Sequence, residues 1–143
     1  MLLQLSLTLM CVLCCPVYYL KATFGVGTSY ALLEIPVSVT GYGRCLSFEY
    51  QISSPRIELI IYQSKTGNSK FSRMQSLKYT NQKNIGRWNY HKRTLSSDAR
   101  AIRLVAKKIG VTTNVEYVLV DVISIDPCFE FGNVPLNILS ICR

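Results

Sequence analysis

Between Gly43 and Gln63 the chain runs GRCLSFEYQISSPRIELIIYQ. Leu46, Phe48, Tyr50 and Ile52 interleave with Ser47, Glu49 and Gln51, the period-two alternation of a strand that buries one face. Pro55 interrupts the run, and Ile57, Leu59 and Ile61 restart it against Glu58. A hairpin through Ser53 to Pro55 is therefore expected, with the next turn at Gly67 and Asn68.

The same alternation recurs downstream. Trp88 to Leu95 forms one expected strand and Ala101 to Lys107 another, joined through Ser96, Ser97 and Asp98. The second sets Ile102, Leu104 and Ala106 on one face and Arg103, Val105 and Lys107 on the other. From Val115 to Ile125, Val118, Val120 and Val122 oppose Tyr117, Leu119, Ile123 and Ile125, which marks a central strand. No capped stretch of helical period follows the N-terminal segment. Short strands punctuated by Gly, Pro, Ser and Asn predict an all-β, antiparallel sandwich. With 143 residues there is room for one domain.

Charge is unevenly spread. The chain carries a net charge of +8. Between Lys65 and Lys108 lie 12 of its 16 Lys and Arg, with Asp98 as the only acid. Lys92, Arg93, Arg103, Lys107 and Lys108 are thus candidates for binding a polyanion, either heparan-type glycans or anionic lipid headgroups, against the alternative of an ordinary solvated surface. Trp88 and Tyr90 offer stacking platforms for a nucleic acid, but export argues against that partner, and Trp88 is expected to fill the core.

Export is inferred from the N-terminus. MLLQLSLTLMCVLCCPVYYLKA has no charged side chain before Lys21 and is dominated by apolar residues from Leu2 to Leu20. A signal peptide over residues 1–22, cut after Ala22, is expected; uncleaved, the run just reaches the length of a membrane anchor. Both place the remainder outside the cytosol, secreted or membrane-tethered. Removal of Cys11, Cys14 and Cys15 leaves Cys45, Cys128 and Cys142, so in an oxidising compartment one pair forms and one thiol stays free or joins another chain.

No catalytic or cofactor chemistry is expected. The single histidine, His91, lies in a basic strand and is read as exposed rather than as a general base. The cysteines have no metal-ligand spacing, the eight acids are scattered singly, and no glycine-rich phosphate loop occurs. The chain after residue 22 has no Asn-x-Ser/Thr sequon.

Several of these stretches together resemble the MAM domain, an extracellular adhesion and interaction module. CLSF, from Cys45 to Phe48, resembles the cysteine-led strand of its signature. Trp88, Leu95 and IRLVAKKIG from Ile102 resemble its following strands, and VLVDVISIDPC, from Val118 to Cys128, resembles its terminal strand and closing cysteine. Asp121 matches that strand's first aspartate, while Val122 replaces the second. The resemblance runs from Ala31 to Cys128. It implies a disulfide between Cys45 and Cys128 and a jelly-roll-like antiparallel β-sandwich lacking its first strand or strands, with the partial sandwich over residues 23–130 and a tail over 131–143. It also implies a non-enzymatic adhesion role toward a protein partner or a second copy; Cys142 is read as a free tail cysteine, with an interchain link through it as the alternative if the chain completes its sheet by dimerising.

Overall fold

The computed structural model describes residues 6–12, 15–26, 30–37, 43–79, 82–111 and 113–128. The strands are β1 (Ser6–Val12), β2 (Cys15–Phe24), β3 (Tyr30–Pro36), β4 (Arg44–Ile52), β5 (Ile57–Lys65), β6 (Asn68–Leu77), β7 (Asn89–Thr94), β8 (Ala99–Lys108) and β9 (Glu116–Pro127), with one 3-10 turn at Gln82–Asn84. They form two antiparallel sheets, one of five strands in the order β1-β2-β9-β4-β7 and one of four in the order β3-β8-β5-β6.

Alternation explains why the sheets stack. On β4 the even positions are buried and Ser47, Glu49 and Gln51 are half-buried. On β8, Ile102, Leu104 and Ala106 are buried while Arg103, Val105 and Lys107 are more open. Phe24, Leu46, Phe48, Ile52, Ile57, Leu59, Ile61 and Ile102 are the largest side chains sealed between the sheets. Burial of each contributes roughly 1.5–3 kcal/mol, enough to fix which face of each strand turns inward.

The connections differ from the expected hairpin. β4 pairs with β7 and β9, whereas β5 pairs with β6 and β8. Ser53 to Pro55 therefore carries the chain from one sheet to the other. The sequence pattern is blind to this, because both partners of a crossover bury one face just as a hairpin's do. The turn at Gly67 is a true hairpin: Lys65 pairs with Asn68, and Gly67 takes φ +77°, a conformation open to glycine. Its second strand, β6, was not expected, since its residues are mostly exposed or half-buried and their alternation is weak.

β9 is central, between β2 and β4. Val118 and Val120 face the core, but Val122 does not. It is 64% exposed at φ +49°, where the register against β4 slips between Ser47 and Glu49. The bulge flips the strand, so that Ile123 and Ile125 pack on the core instead.

β2 lies beside β9 in the five-stranded sheet. Leu20, Lys21, Ala22, Thr23 and Phe24 pair with Val120, Leu119, Val118, Tyr117 and Glu116. Phe24 is fully buried. β1 pairs with β2 and takes the outer edge. Residues 129–143, including Cys142, lie outside the described residues.

Candidate functional site

Cys45 and Cys128 are bonded, with Sγ atoms 2.12 Å apart and Cα atoms 5.0 Å apart. Cys45 opens β4 opposite Asp126, and Cys128 follows the end of β9, donating its N–H to the Gly43 carbonyl. The staple holds the end of the sheet whose outer face carries most of the exposed chemistry.

Residues directly opposite in an antiparallel ladder share a face. Glu49 stands opposite Tyr90 on β7 and Asp121 on β9, and Ser47 opposite Lys92 and Ser124. Leu119 lies between Gln51 and Lys21, and Tyr117 opposite Thr23. The outer face thus combines rings, hydroxyls, an amide and both signs of charge. Ser47 and Ser124 hydroxyls are 2.8 Å apart, and the Lys21 ammonium lies 5.2 Å from the Tyr117 ring centroid. Asp121 accepts from the Val122 N–H at 2.7 Å, while Gln51 donates to the Gly86 carbonyl.

Two features of this face escaped the sequence. Trp88, expected in the core, is 43% exposed, and Tyr90 is 63% exposed. Trp88 precedes β7, which among the described residues is an edge strand of its sheet. Glu49 and Asp121 lie far apart in sequence and in different strands, yet the ladder brings them face to face, an arrangement of like charges that costs stability. Only the strand order reveals either point.

His91 points the other way. Its ring packs on Phe48 with centroids 5.2 Å apart, and Nε2 is buried with no hydrogen-bond partner. It is half-buried rather than exposed. Burial, and then the charge of Arg93, hold its pKa below the ordinary value.

The five basic candidates do not form one surface. Lys92 lies on the outer face of the five-stranded sheet. Arg93 reaches from that sheet's edge to Gln75 on β6, at 2.7 Å. Arg103 sits on the four-stranded sheet, bonded to Glu34 at 2.7 Å with its guanidinium 3.7 Å from the Phe71 ring centroid. Lys107, opposite Tyr30 and Glu58, is exposed on that sheet. Lys108 is buried and donates to the Gly25 carbonyl at 3.1 Å. The two sheets divide these cations: Lys92 and Arg93 belong to one, Arg103, Lys107 and Lys108 to the other. Nearby cations are also satisfied by Glu58, which is only 7% exposed and accepts from Arg73 at 2.7 Å and Ser76, with Lys78 at 3.4 Å. The Ser76 hydrogen bond leads the causes that hold the Glu58 carboxyl below its ordinary pKa.

Among the described residues no group of three or more His, Cys, Asp or Glu converges as a metal site. Among the described residues no helix is long and apolar enough to cross a membrane.

No protein-family model and no curated protein matches the chain. Solved structures do match. One, described as showing the promiscuous specificity of carbohydrate-binding modules of the β-sandwich superfamily, is 15% identical with a TM-score of 0.50. The match covers 77% of this chain and 47% of that one, so the chain spans about half its length. A family 16 carbohydrate-binding module is 14% identical, with 76% of each chain covered and a TM-score of 0.47. The adhesin domain of Lys-gingipain from Porphyromonas gingivalis W83 is 17% identical, covering 78% of this chain and 64% of that one, with a TM-score of 0.44. The chain is thus a two-sheet β-sandwich of the architecture that carbohydrate-binding modules also use. At these identities the likeness defines the fold alone.

Proposed function

We propose that the chain is a non-enzymatic extracellular binding module that holds a hydroxyl-rich glycan on the outer face of its five-stranded sheet. One observation carries this reading: exposed Tyr90 stands in a ladder with Glu49, Ser47, Lys92, Ser124 and Asp121, and exposed Trp88 lies two residues before it in the chain. A sugar ring offers an apolar face of C–H bonds to an aromatic plane and a rim of hydroxyls to carboxylates, hydroxyls and amides. The face supplies both kinds of partner. An aromatic with a polar tip is also the side chain best suited to a surface that must stay soluble while empty.

Charge argues for a neutral ligand over a polyanion. Lys92 and Lys21 are offset on this face by Glu49 and Asp121, and the other cations are dispersed or paired. The likeness of Cys45 to Phe48 and of Cys128 to the MAM signature, with the bond between these cysteines, supports an extracellular interaction role. That the architecture recurs in carbohydrate-binding modules is compatible with the ligand class and does not supply it.

The test is a glycan array probed with the purified chain at two salt concentrations. Binding to neutral oligosaccharides that persists at high salt is expected. Binding confined to sulfated glycans and abolished by salt would favour the polyanion alternative. Self-association without any glycan signal would favour homophilic adhesion.

A further inference from the structure

Among the described residues, the edge strands β6 and β7 are guarded against further pairing. β6 carries Lys70 and Arg73 and slips register twice against β5, and β7 carries Lys92 and Arg93. Charge and irregular pairing of this kind keep an edge from adding another strand. The edge strand β3 has neither defence. Its register against β8 is regular from Tyr30 to Pro36, and its one charge, Glu34, is already bonded to Arg103 at 2.7 Å.

The ladder fixes which backbone groups of β3 are free. The Val37 N–H donates to the Arg100 carbonyl at 2.8 Å. Hydrogen-bonded pairs recur at every second residue of an antiparallel ladder, so Ile35, Leu33 and Ala31 bond to β8 in turn. The N–H and C=O groups of Tyr30, Leu32 and Glu34 therefore point away from β8, to the side on which no described strand lies. Pro36, without an N–H, ends the row.

An apolar cleft adjoins this edge. Leu20 and Ala22 of β2, Leu33 of β3, Leu104 of β8 and Val118 of β9 border it, and every described side chain around it is aliphatic. Leu32 and Leu33 point to opposite faces of β3 yet both border the cleft, so it opens around the edge. Because β2 already stands across the cleft from β3 and β8, β1 has no strand opposite it in the four-stranded sheet.

We propose that the β3 edge takes up an extended segment of a partner protein with aliphatic side chains at alternate positions. The backbone of that segment bonds to Tyr30, Leu32 and Glu34, and its inward side chains fill the cleft beside Ala31 and Leu33. A second copy fits less well: joined antiparallel through its own β3, it would bring its five-stranded sheet into the layer that β1 occupies. The site lies on the opposite sheet from the glycan face and does not rest on that reading.

The probe is a synthetic peptide of alternating valine and threonine closed by lysine at both ends. It is titrated into the full, disulfide-bonded chain while amide hydrogen exchange is followed. Binding that slows exchange at Tyr30, Leu32 and Glu34 is expected. With the valines in the cleft, the threonines turn their backbone groups to β3. N-methylation of the threonines is therefore expected to lower affinity at least about tenfold, and N-methylation of the valines to leave it nearly unchanged. Leu32→Pro, which removes only an outward N–H at an edge, is expected to keep the thermal midpoint and lose a similar factor. Absence of binding, or equal loss with either methylated peptide, overturns the proposal. Amides of Tyr30, Leu32 and Glu34 already protected in the free monomer would mean that the chain covers its own edge. Protection that grows with protein concentration would seat a second copy there. Either result overturns the assignment of the edge to a partner.

Discussion

Phe48 and His91 face one another across β4 and β7, ring centroids 5.2 Å apart, on the core side of a strand whose other side is open. The imidazole is held below its ordinary pKa of about 6.5, by burial first and then by Arg93. Between the folded value and about 6.5 the unfolded chain binds more protons than the folded one, so stability rises with pH there. The contribution is therefore whole above about pH 6.5 and is lost as pH falls toward the folded value. The thermal midpoint is expected to be flat from pH 8 to 7 and to drop as pH falls below about 6.5. His91→Phe, which keeps a ring against Phe48, is expected to remove that drop. Carboxylates such as Glu58 act in a separate, lower window, because the folded Glu58 pKa is depressed.

The bond between Cys45 and Cys128 closes a loop of 83 residues in separation. Chain entropy alone assigns such a closure roughly 4–5 kcal/mol, and removal of native disulfides costs about 2–5 kcal/mol in small secreted domains. The double variant Cys45→Ala/Cys128→Ala is expected to lose stability within that range in urea unfolding. A change below about 0.5 kcal/mol would show that the staple constrains little.

Val122 is a β-branched residue at φ +49° with most of its side chain in solvent. Relief of the backbone strain outweighs the small burial lost, so Val122→Gly is expected to raise stability by about 1 kcal/mol. The check is the urea midpoint at unchanged slope.

Much of the fold was legible in the sequence, and the misses share a physical origin. Strand alternation located the buried faces of β4, β5 and β8, because burial of Leu46, Ile61 or Leu104 is dictated by period alone. It could not distinguish a hairpin from a crossover at Ser53 to Pro55, since strand pairing is non-local. Nor could it anticipate the flip at Val122, which depends on one extra residue in β9 opposite Ser47 and Glu49. The N-terminal segment was read through its apolar composition, which carries no information about strand pairing, so the pairing of Leu20 to Phe24 with β9 was not legible there. For the candidate site, the basic residues were visible but their dispersal was not, because Lys92 and Arg103 belong to different sheets. The aromatic face was hidden for the complementary reason. A tryptophan at the start of a strand reads as core until that strand is placed at an edge.

The most direct test of the glycan-binding face is titration of the best array ligand into wild type and into Trp88→Ala/Tyr90→Ala. Both rings are substantially exposed, so the double variant is expected to unfold within about 1 kcal/mol of wild type. A loss of at least tenfold in affinity with that stability retained is the predicted result. Unchanged affinity in the folded variant would contradict the placement of the site on the outer face of the five-stranded sheet.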